Sequence, residues 1–198
     1  MNKEIERKFL LKDNSWKDLV TQVSEIEQHY LFISPSTNVR VRKKQKGDNV
    51  TYTHTIKEKL GNQESTKYQE SIEIENDISK DTFLGLKELS VGSIFKTRHI
   101  IPAGKLKWEV DVFHGHLDGL VMAEIEIPSV DTSVDLPYFI GKEVSADKRY
   151  SNANLCSNDT LVSKDGRVLI IEEAPEFNLN KKTDKGSRKK SHDSFSPN

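Results

Sequence analysis

A single cysteine, Cys156, is the only thiol in this 198-residue chain, which excludes an intrachain disulfide framework and accords with a reducing cytoplasm. It stands in a polar stretch, and nothing around it marks a functional thiol. Long apolar runs are also missing. Segments such as residues 168–171 fall far short of the roughly 20 residues of a membrane span, and the opening Met1-Asn2-Lys3-Glu4-Ile5-Glu6-Arg7-Lys8 is charged. The expectation is a soluble chain without a secretion signal. There is no glycine-rich phosphate loop and no nucleophile elbow. His114-Gly115-His116 has no further His or Cys at metal-binding spacing and reads as a turn. Finally, neither charge sign is in excess: 30 basic residues face 31 acidic ones, for a formal net charge of −1. A uniformly basic nucleic-acid binder and an acidic solvating chain are both excluded, so if charge does the work, both signs act together.

What is present is apolar alternation at period two. With 34% hydrophobic residues the chain has an economical core, enough for one domain plus a tail. Strands are expected over residues 3–11, 28–33, 37–44, 51–57, 68–75, 94–101, 107–113 and 121–127, arranged as an antiparallel meander. Asn14 or Ser15 is placed to cap a helix running to about Val23. Ser79 caps a second to about Leu89, with Phe83, Leu84 and Leu86 as its apolar stripe, and a third short helix is expected after Pro137. Turns are expected at Lys46-Gly47-Asp48-Asn49, Gly61-Asn62 and Ala103-Gly104.

The pattern divides the chain into a domain over residues 1–156, an extension over 157–180 with one strand at about 166–171, and a polar tail over 181–198 that lacks periodicity. The tail carries six basic and two acidic residues, leaving a mildly acidic body of 24 basic and 29 acidic groups. Its cluster Arg188-Lys189-Lys190 is too short to mark a nucleic-acid or anionic-surface site and reads as a solvated terminus.

Within the strands the charges are sorted. Glu4, Glu6 and Lys8 leave one face of the first strand, with Ile5 and Phe9 on the other. Arg40 and Arg42 flank Val41, Lys96 and Arg98 flank Thr97, Glu109 and Asp111 flank Val110, and Glu124 and Glu126 flank Ile125. Thr53, Thr55 and Lys57 share a face, as do Glu73 and Glu75. Any one such strand is ordinary half-buried sheet. Together they are unusual, because like charges side by side repel unless an opposite charge is supplied. A metal ion answers the acids and a polyanion the bases, so a polyphosphate carrying divalent cations satisfies both. Periodicity leaves open whether the charged face lines a closed barrel or a wet open sheet.

The same residues resemble a known family. Glu4-Ile5-Glu6-Arg7-Lys8-Phe9-Leu10 looks like the E-x-E-x-K signature of the CYTH proteins, also called triphosphate tunnel metalloenzymes. Further matches follow in family order: Gln28-His29-Tyr30-Leu31, Val39-Arg40-Val41-Arg42, Thr55-Ile56-Lys57, Lys96-Thr97-Arg98, Trp108-Glu109-Val110-Asp111-Val112-Phe113, Ala123-Glu124-Ile125-Glu126, and Glu143-Val144 before Asp147-Lys148-Arg149-Tyr150. The opening, the Q-x-Y-L strand and the K-T-R segment look most like the small bacterial inorganic triphosphatases.

The resemblance implies a mainly β fold, a closed eight-stranded antiparallel β-barrel with a few external helices, whose tunnel binds a triphosphate with Mg²⁺ or Mn²⁺. It assigns Glu4, Glu6, Glu73, Glu109, Asp111, Glu124 and Glu126 to the metal, and Lys8, Arg40, Arg42, Lys57, Lys96 and Arg98 to the phosphates. Both sets agree with the alternation. Two departures stand out. Glu70 is out of phase with Glu73 and Glu75; Glu73 is the favoured ligand, with Ser71 at the upstream position, which thins the metal coordination there. His29 replaces a glycine, and the chain beyond Cys156 has no counterpart.

The expected reaction is metal-dependent hydrolysis of inorganic tripolyphosphate to pyrophosphate and phosphate. Lys8 is expected to orient the water or steady the terminal phosphate, and Tyr30 to assist proton transfer or position the substrate. A class IV adenylate cyclase acting on ATP, and a noncatalytic polyphosphate- or nucleotide-binding module, are the alternatives. Neither a membrane nor a nucleic acid is an expected partner.

Overall fold

The computed structural model describes residues 2–60, 68–157, 161–162 and 168–170. Eight strands form the body: β1 (Asn2–Leu11), β2 (Gln22–Ile33), β3 (Thr37–Lys46), β4 (Asn49–Lys59), β5 (Gln69–Asp77), β6 (Gly92–Ala103), β7 (Leu106–His114) and β8 (Val121–Glu126). They pair in the order β5-β4-β3-β2-β6-β7-β8-β1, every pair antiparallel, and β1 pairs with β5 to close the ring. β1 is the seam. Its first half pairs with β5, from Asn2↔Glu73 to Glu6↔Gln69, and its second half with β8, from Glu6↔Glu126 to Leu10↔Met122. This offset is the stagger that a closed barrel requires. Where β5 leaves off, a ninth strand, β9 (Ile140–Glu143), takes the same edge of β1 through Phe9↔Glu143 and Leu11↔Ile140.

The tight β3–β4 and β6–β7 turns fall where expected, with Gly47 and Gly104 at positive φ (56° and 63°), a conformation most side chains avoid. The turn expected at Gly61-Asn62 lies outside the described residues, as does the 181–198 tail. In the extension, two short strands, β10 (Leu161–Val162) and β11 (Val168–Ile170), pair with each other, one more than expected.

The charged rows point into the barrel, so the alternate apolar residues point out and must be covered. Phe9, Ile101, Trp108, Val110, Ala123 and Ile125 form one outer cluster, sealed by Trp16 and by Phe139 and Ile140. Fully burying side chains of this size contributes roughly 2–3 kcal/mol each. On the other side, helix α1 (Lys80–Lys87) lays Phe83 against His29 and Tyr52. Ser79 caps it, accepting from the Thr82 amide at 3.0 Å.

Two helical expectations are overturned. The segment after Asn14 makes only a 3₁₀ turn, Ser15–Leu19, and is extended again at Val20. Trp16 anchors that turn on the barrel beside His99, and from Gln22 the chain gains sheet pairing with β6 instead, Gln22↔Ile100. After Pro137 the chain turns into β9, because Phe139 and Ile140 complete the outer cluster and β1 still has an unpaired edge there. The second helix, α2 (Asn152–Leu155), comes later. Much of the apolar cover is therefore a turn and a loop, with one helix of two turns.

One end of the barrel is closed. The inward residues Tyr30, Ile94, Phe113 and Met122 pack with Leu117 and Leu120 from the β7–β8 connection and with Val144, Tyr150, Leu155 and Cys156. Cys156, expected in polar surroundings, is buried in this plug; its Sγ donates to the Ala153 carbonyl, and burial pushes the thiol up to about 12. The plug is tied to β1 beside Lys8: the Lys8 amide donates to Ser145 Oγ, and the Val144 amide to the Lys8 carbonyl. His114 and His116 have separate partners, Thr97 Oγ1 and the Leu155 carbonyl, and do not form a metal pair. No helix among the described residues is long and apolar enough to cross a membrane.

Candidate functional site

Strand register puts the sorted charges in one place. Lys8 stands opposite Glu124, Glu6 opposite Glu126, Glu109 opposite Glu124, and Arg98 opposite Asp111. On the facing wall Lys57 stands opposite Glu73, Arg40 opposite Tyr30, and Arg42 opposite Gln28. Side chains directly opposite share a face. All fourteen residues singled out from the sequence, Glu4, Glu6, Lys8, Tyr30, Arg40, Arg42, Lys57, Glu73, Lys96, Arg98, Glu109, Asp111, Glu124 and Glu126, therefore line the interior. Thr55 stands opposite Glu75, so Ser71, Glu73 and Glu75 all face inward, whereas Glu70 pairs with Lys3 at 3.1 Å.

The interior is a lattice of ion pairs. Lys8 Nζ lies 3.0 Å from Glu6 and 2.6 Å from Glu124. Lys57 reaches Glu73 at 2.9 Å and Glu4 at 3.5 Å, and Arg40 also reaches Glu73, at 3.1 Å. Arg98 grips Asp111 with two nitrogens at 2.7 Å, contacts Glu109, and meets Glu124 at 3.1 Å. Lys96 completes the set with Asp111 at 2.5 Å.

Burial alone would neutralise most of these acids; their partners reverse the sign. Despite burial, Lys8, Lys96 and Arg98 hold Glu124 well below the usual carboxylate range, and Arg98 and Lys96 lower Asp111. Arg40 and Lys57 overcome burial at Glu73 and bring it to about 2. Glu4 behaves oppositely. Burial and then the Glu73 carboxylate raise it to about 7, more than Lys57 can offset. Glu126 is raised too, by burial and by Glu109. Positive charge is thus short beside Glu4 and Glu126, whereas Lys57 and Lys8 overcome burial at Glu6 and lower it. Positive charge is crowded at Arg42, which burial, Arg40 and Arg98 push down, and at Lys44, which burial and Arg98 push down.

Those acids are hard oxygen donors of the kind Mg²⁺ and Mn²⁺ take, and a divalent cation would relieve their mutual repulsion, so the donor set fits the metal. Among the described residues no three carboxylates converge on one point, since most are turned toward a lysine or arginine. A polyanion that drew the bases away would free them.

Tyr30 is buried, with its hydroxyl accepting from the Gln28 amide at 2.7 Å, while Gln28 Oε1 accepts from Arg42 Nε at 3.0 Å. Burial lifts its phenol above the ordinary range, which favours positioning over proton transfer. Sequence reasoning passed over Gln28, Asn38, Lys44 and Lys59. The signal was there: Asn38 and Lys44 keep step with Arg40 and Arg42, and Lys59 keeps step with Lys57. Glu143, one of the later motif residues, lies away from the interior set and binds Arg7 through two bonds of 2.9 and 2.7 Å, clamping β9 to β1.

The comparisons agree with this architecture. An inorganic triphosphatase from Acetivibrio thermocellus is 34% identical over 158 residues, which is 80% of this chain and 96% of the relative. Another inorganic triphosphatase, from Nitrosomonas europaea, is also 34% identical over 158 residues, covering 77% of this chain and 95% of the relative. Two solved structures share the fold. A conserved hypothetical protein from Pyrococcus furiosus superposes with a TM-score of 0.51 at 21% identity, and a protein from Pyrococcus horikoshii with 0.50 at 22%; each comparison covers 65% of this chain and 80% of the other. The CYTH domain family matches residues 2–155, which span β1 to α2 and carry every strand of the charged barrel. The chain belongs to the CYTH domain family.

Proposed function

We propose that this protein hydrolyses inorganic tripolyphosphate to pyrophosphate and phosphate with Mg²⁺ or Mn²⁺. The observation that carries the reading is the paired interior: six bases and seven acids on facing strands, each set already held by the other. A tripolyphosphate anion takes over the bases. Lys8, Arg40, Arg42, Lys57, Lys96 and Arg98 then bind phosphate oxygens with charge-assisted bonds. Their former partners become available for cations, with Glu4 and Glu126 the first donors and Glu6, Glu73, Glu109, Asp111 and Glu124 completing the set. The metal, when bound, supplies charge neutralisation on the leaving pyrophosphate and an acidified water. Lys8, between Glu6 and Glu124, is positioned to hold that water or the phosphate under attack.

The open pocket beside Lys8, lined by Glu6, Tyr30, Arg40, Lys57 and Lys59 among others, offers little to a nucleobase. Tyr30 is the only aromatic residue among its described lining, and its ring is packed into the plug. The buried thiol fits a reducing compartment, and we assign the reaction to the cytoplasm. The test is product identity: tripolyphosphate and ATP are each incubated with the full chain and Mg²⁺ or Mn²⁺. Release of phosphate from tripolyphosphate supports the reading. Cyclic AMP from ATP, or binding without any product, refutes it.

A further inference from the structure

Helix α1 covers only part of the outer wall that β2 to β5 build. Its Phe83 lies over His29 and Tyr52, and His29 stands opposite Val41. Nearer the closed end, register sets Phe32 opposite Val39, Val39 opposite Ile56, and Ile56 opposite Ile74. An apolar row therefore crosses four strands on the outside of the barrel, since Thr55 and Lys57, and Glu73 and Glu75, take the inside. The row is no part of the core: Ile56 is 38% exposed and Ile74 43%. Leu89 and Val91, in the link from α1 to β6, are exposed as well, and the Val91 amide donates to the Tyr30 carbonyl, which holds this link at the β2 end of the row. Single exposed apolar side chains are ordinary, whereas a contiguous band across a sheet marks a surface that binds something.

We propose that this row is the docking surface for the chain's own residues 171–179, Ile171-Glu172-Glu173-Ala174-Pro175-Glu176-Phe177-Asn178-Leu179, which lie outside the described residues. Ile171, Phe177 and Leu179 are the side chains that meet it. Position and length support this occupant. β10 lies against the turn Gly115–Leu117, and Leu117 belongs to the plug, so the segment that follows β11 starts from the closed end, at the level of the row. In strand order β4 is four places from β7, the strand that leads into that turn. Strands stand about 4.8 Å apart, so Ile56 is roughly 20 Å round the wall. Nine extended residues span about 30 Å, which is enough to reach Ile56 and to continue over Ile74. Tethering also favours this segment over a second copy of the chain, because an attached segment acts at an effective concentration on the order of millimolar. Docking would brace β4 and β5 from outside, on the wall whose inner face carries Lys57, Glu73 and Glu75.

The test is a nitroxide attached to the full chain through Asn180→Cys, read as loss of NMR intensity at backbone amides. Cys156 is buried, and burial pushes its thiol up to about 12, so the label goes to the introduced cysteine. Val39, Ile56 and Ile74 should lose intensity, while Val110 and Ala123, on the outside of the far wall, keep theirs. The loss should persist on dilution and disappear when Phe177→Ser and Leu179→Ser are added, a change that leaves the barrel sequence untouched and so reports docking and not unfolding. Ile74→Ser, at an exposed position, should weaken it from the other side. Intensity lost evenly over the surface, no loss at all, or a loss that survives Phe177→Ser with Leu179→Ser overturns the proposal. So does a loss in unlabelled chains mixed with labelled ones that matches the loss within labelled chains, which would make a second copy the occupant.

Discussion

Replacing Asp111 by asparagine keeps the shape of the side chain and removes one charge from the most enclosed part of the interior. Asp111 is fully buried and accepts from Lys96 Nζ at 2.5 Å and from two Arg98 nitrogens at 2.7 Å. Arg98 keeps Glu109 and Glu124, but Lys96 loses its one ion pair among the described residues and keeps only the longer-range attraction of Glu124 and its approach to the Phe113 ring, 5.4 Å from the centroid. Breaking a buried pair by removing one partner costs about 3–5 kcal/mol, because an uncompensated charge remains. For a chain of this size each kcal/mol shifts Tm by roughly 2–4 °C, so Asp111→Asn should melt about 6–20 °C below wild type. The pH dependence has a definite sign. The carboxyl is depressed in the folded state, so its contribution is complete above its unfolded value near 4 and is lost as pH falls below that. The gap between wild type and variant should therefore close on acidification. Tripolyphosphate supplies oxygens to the same cations, and at a hundredfold excess over Kd any ligand adds about 2.7 kcal/mol, so saturating ligand should narrow the gap near neutral pH. Thermal melts at several pH values, with and without tripolyphosphate, measure all three effects. A variant that melts with wild type at pH 7 would show that Asp111 is not holding Lys96 and Arg98 in place.

Lys8→Ala should reduce phosphate release at least 100-fold and lower Tm as well, since Glu6 and Glu124 lose a shared partner; full activity in a phosphate-release assay would remove Lys8 from the mechanism. Glu4→Gln should melt above wild type at pH 8 without metal, because a carboxyl raised to about 7 in the folded state destabilises it increasingly as pH rises from its unfolded value through 7. That gain should vanish below about pH 5, and a pH-independent difference in melts would contradict the charge assignment. Gly92→Ala would put a Cβ 2.6 Å from the Cys156 carbonyl oxygen and 2.8 Å from Sγ, so the plug must shift. A loss of about 1–3 kcal/mol and faster labelling of Cys156 by a thiol reagent should follow; unchanged labelling would mean the plug absorbs the atom.

The alternation that makes a barrel strand was legible wherever inward and outward residues contrast. Glu4-Ile5-Glu6 and Glu109-Val110-Asp111 are examples, and most strands were located to within a few residues on that basis. It failed at the first half of β2. Gln22, Ser24 and Ile26 point inward but only one is apolar, and Trp16 imitates the start of a helix while serving as a cover. It failed again after Pro137, since β9 exists to finish an edge of β1, a need that only the closed ring creates. The charged interior was legible because like charges at two-residue spacing are costly unless matched across the barrel. Asn38 and Lys59 were not, because one amide or one lysine carries no such cost until burial is known.

The interior ion pairs also set how the protein responds to salt. Cations that face water collect mobile anions, and a polyanion that binds them releases those ions, which makes affinity fall steeply with ionic strength. Here the ions to be displaced are Glu6, Glu73, Asp111 and Glu124, fixed to the same chain and returned to the same bases when the ligand leaves. The barrel carries its own counterions. Tripolyphosphate affinity should therefore depend on salt with a slope well below what six basic side chains would give on an open surface.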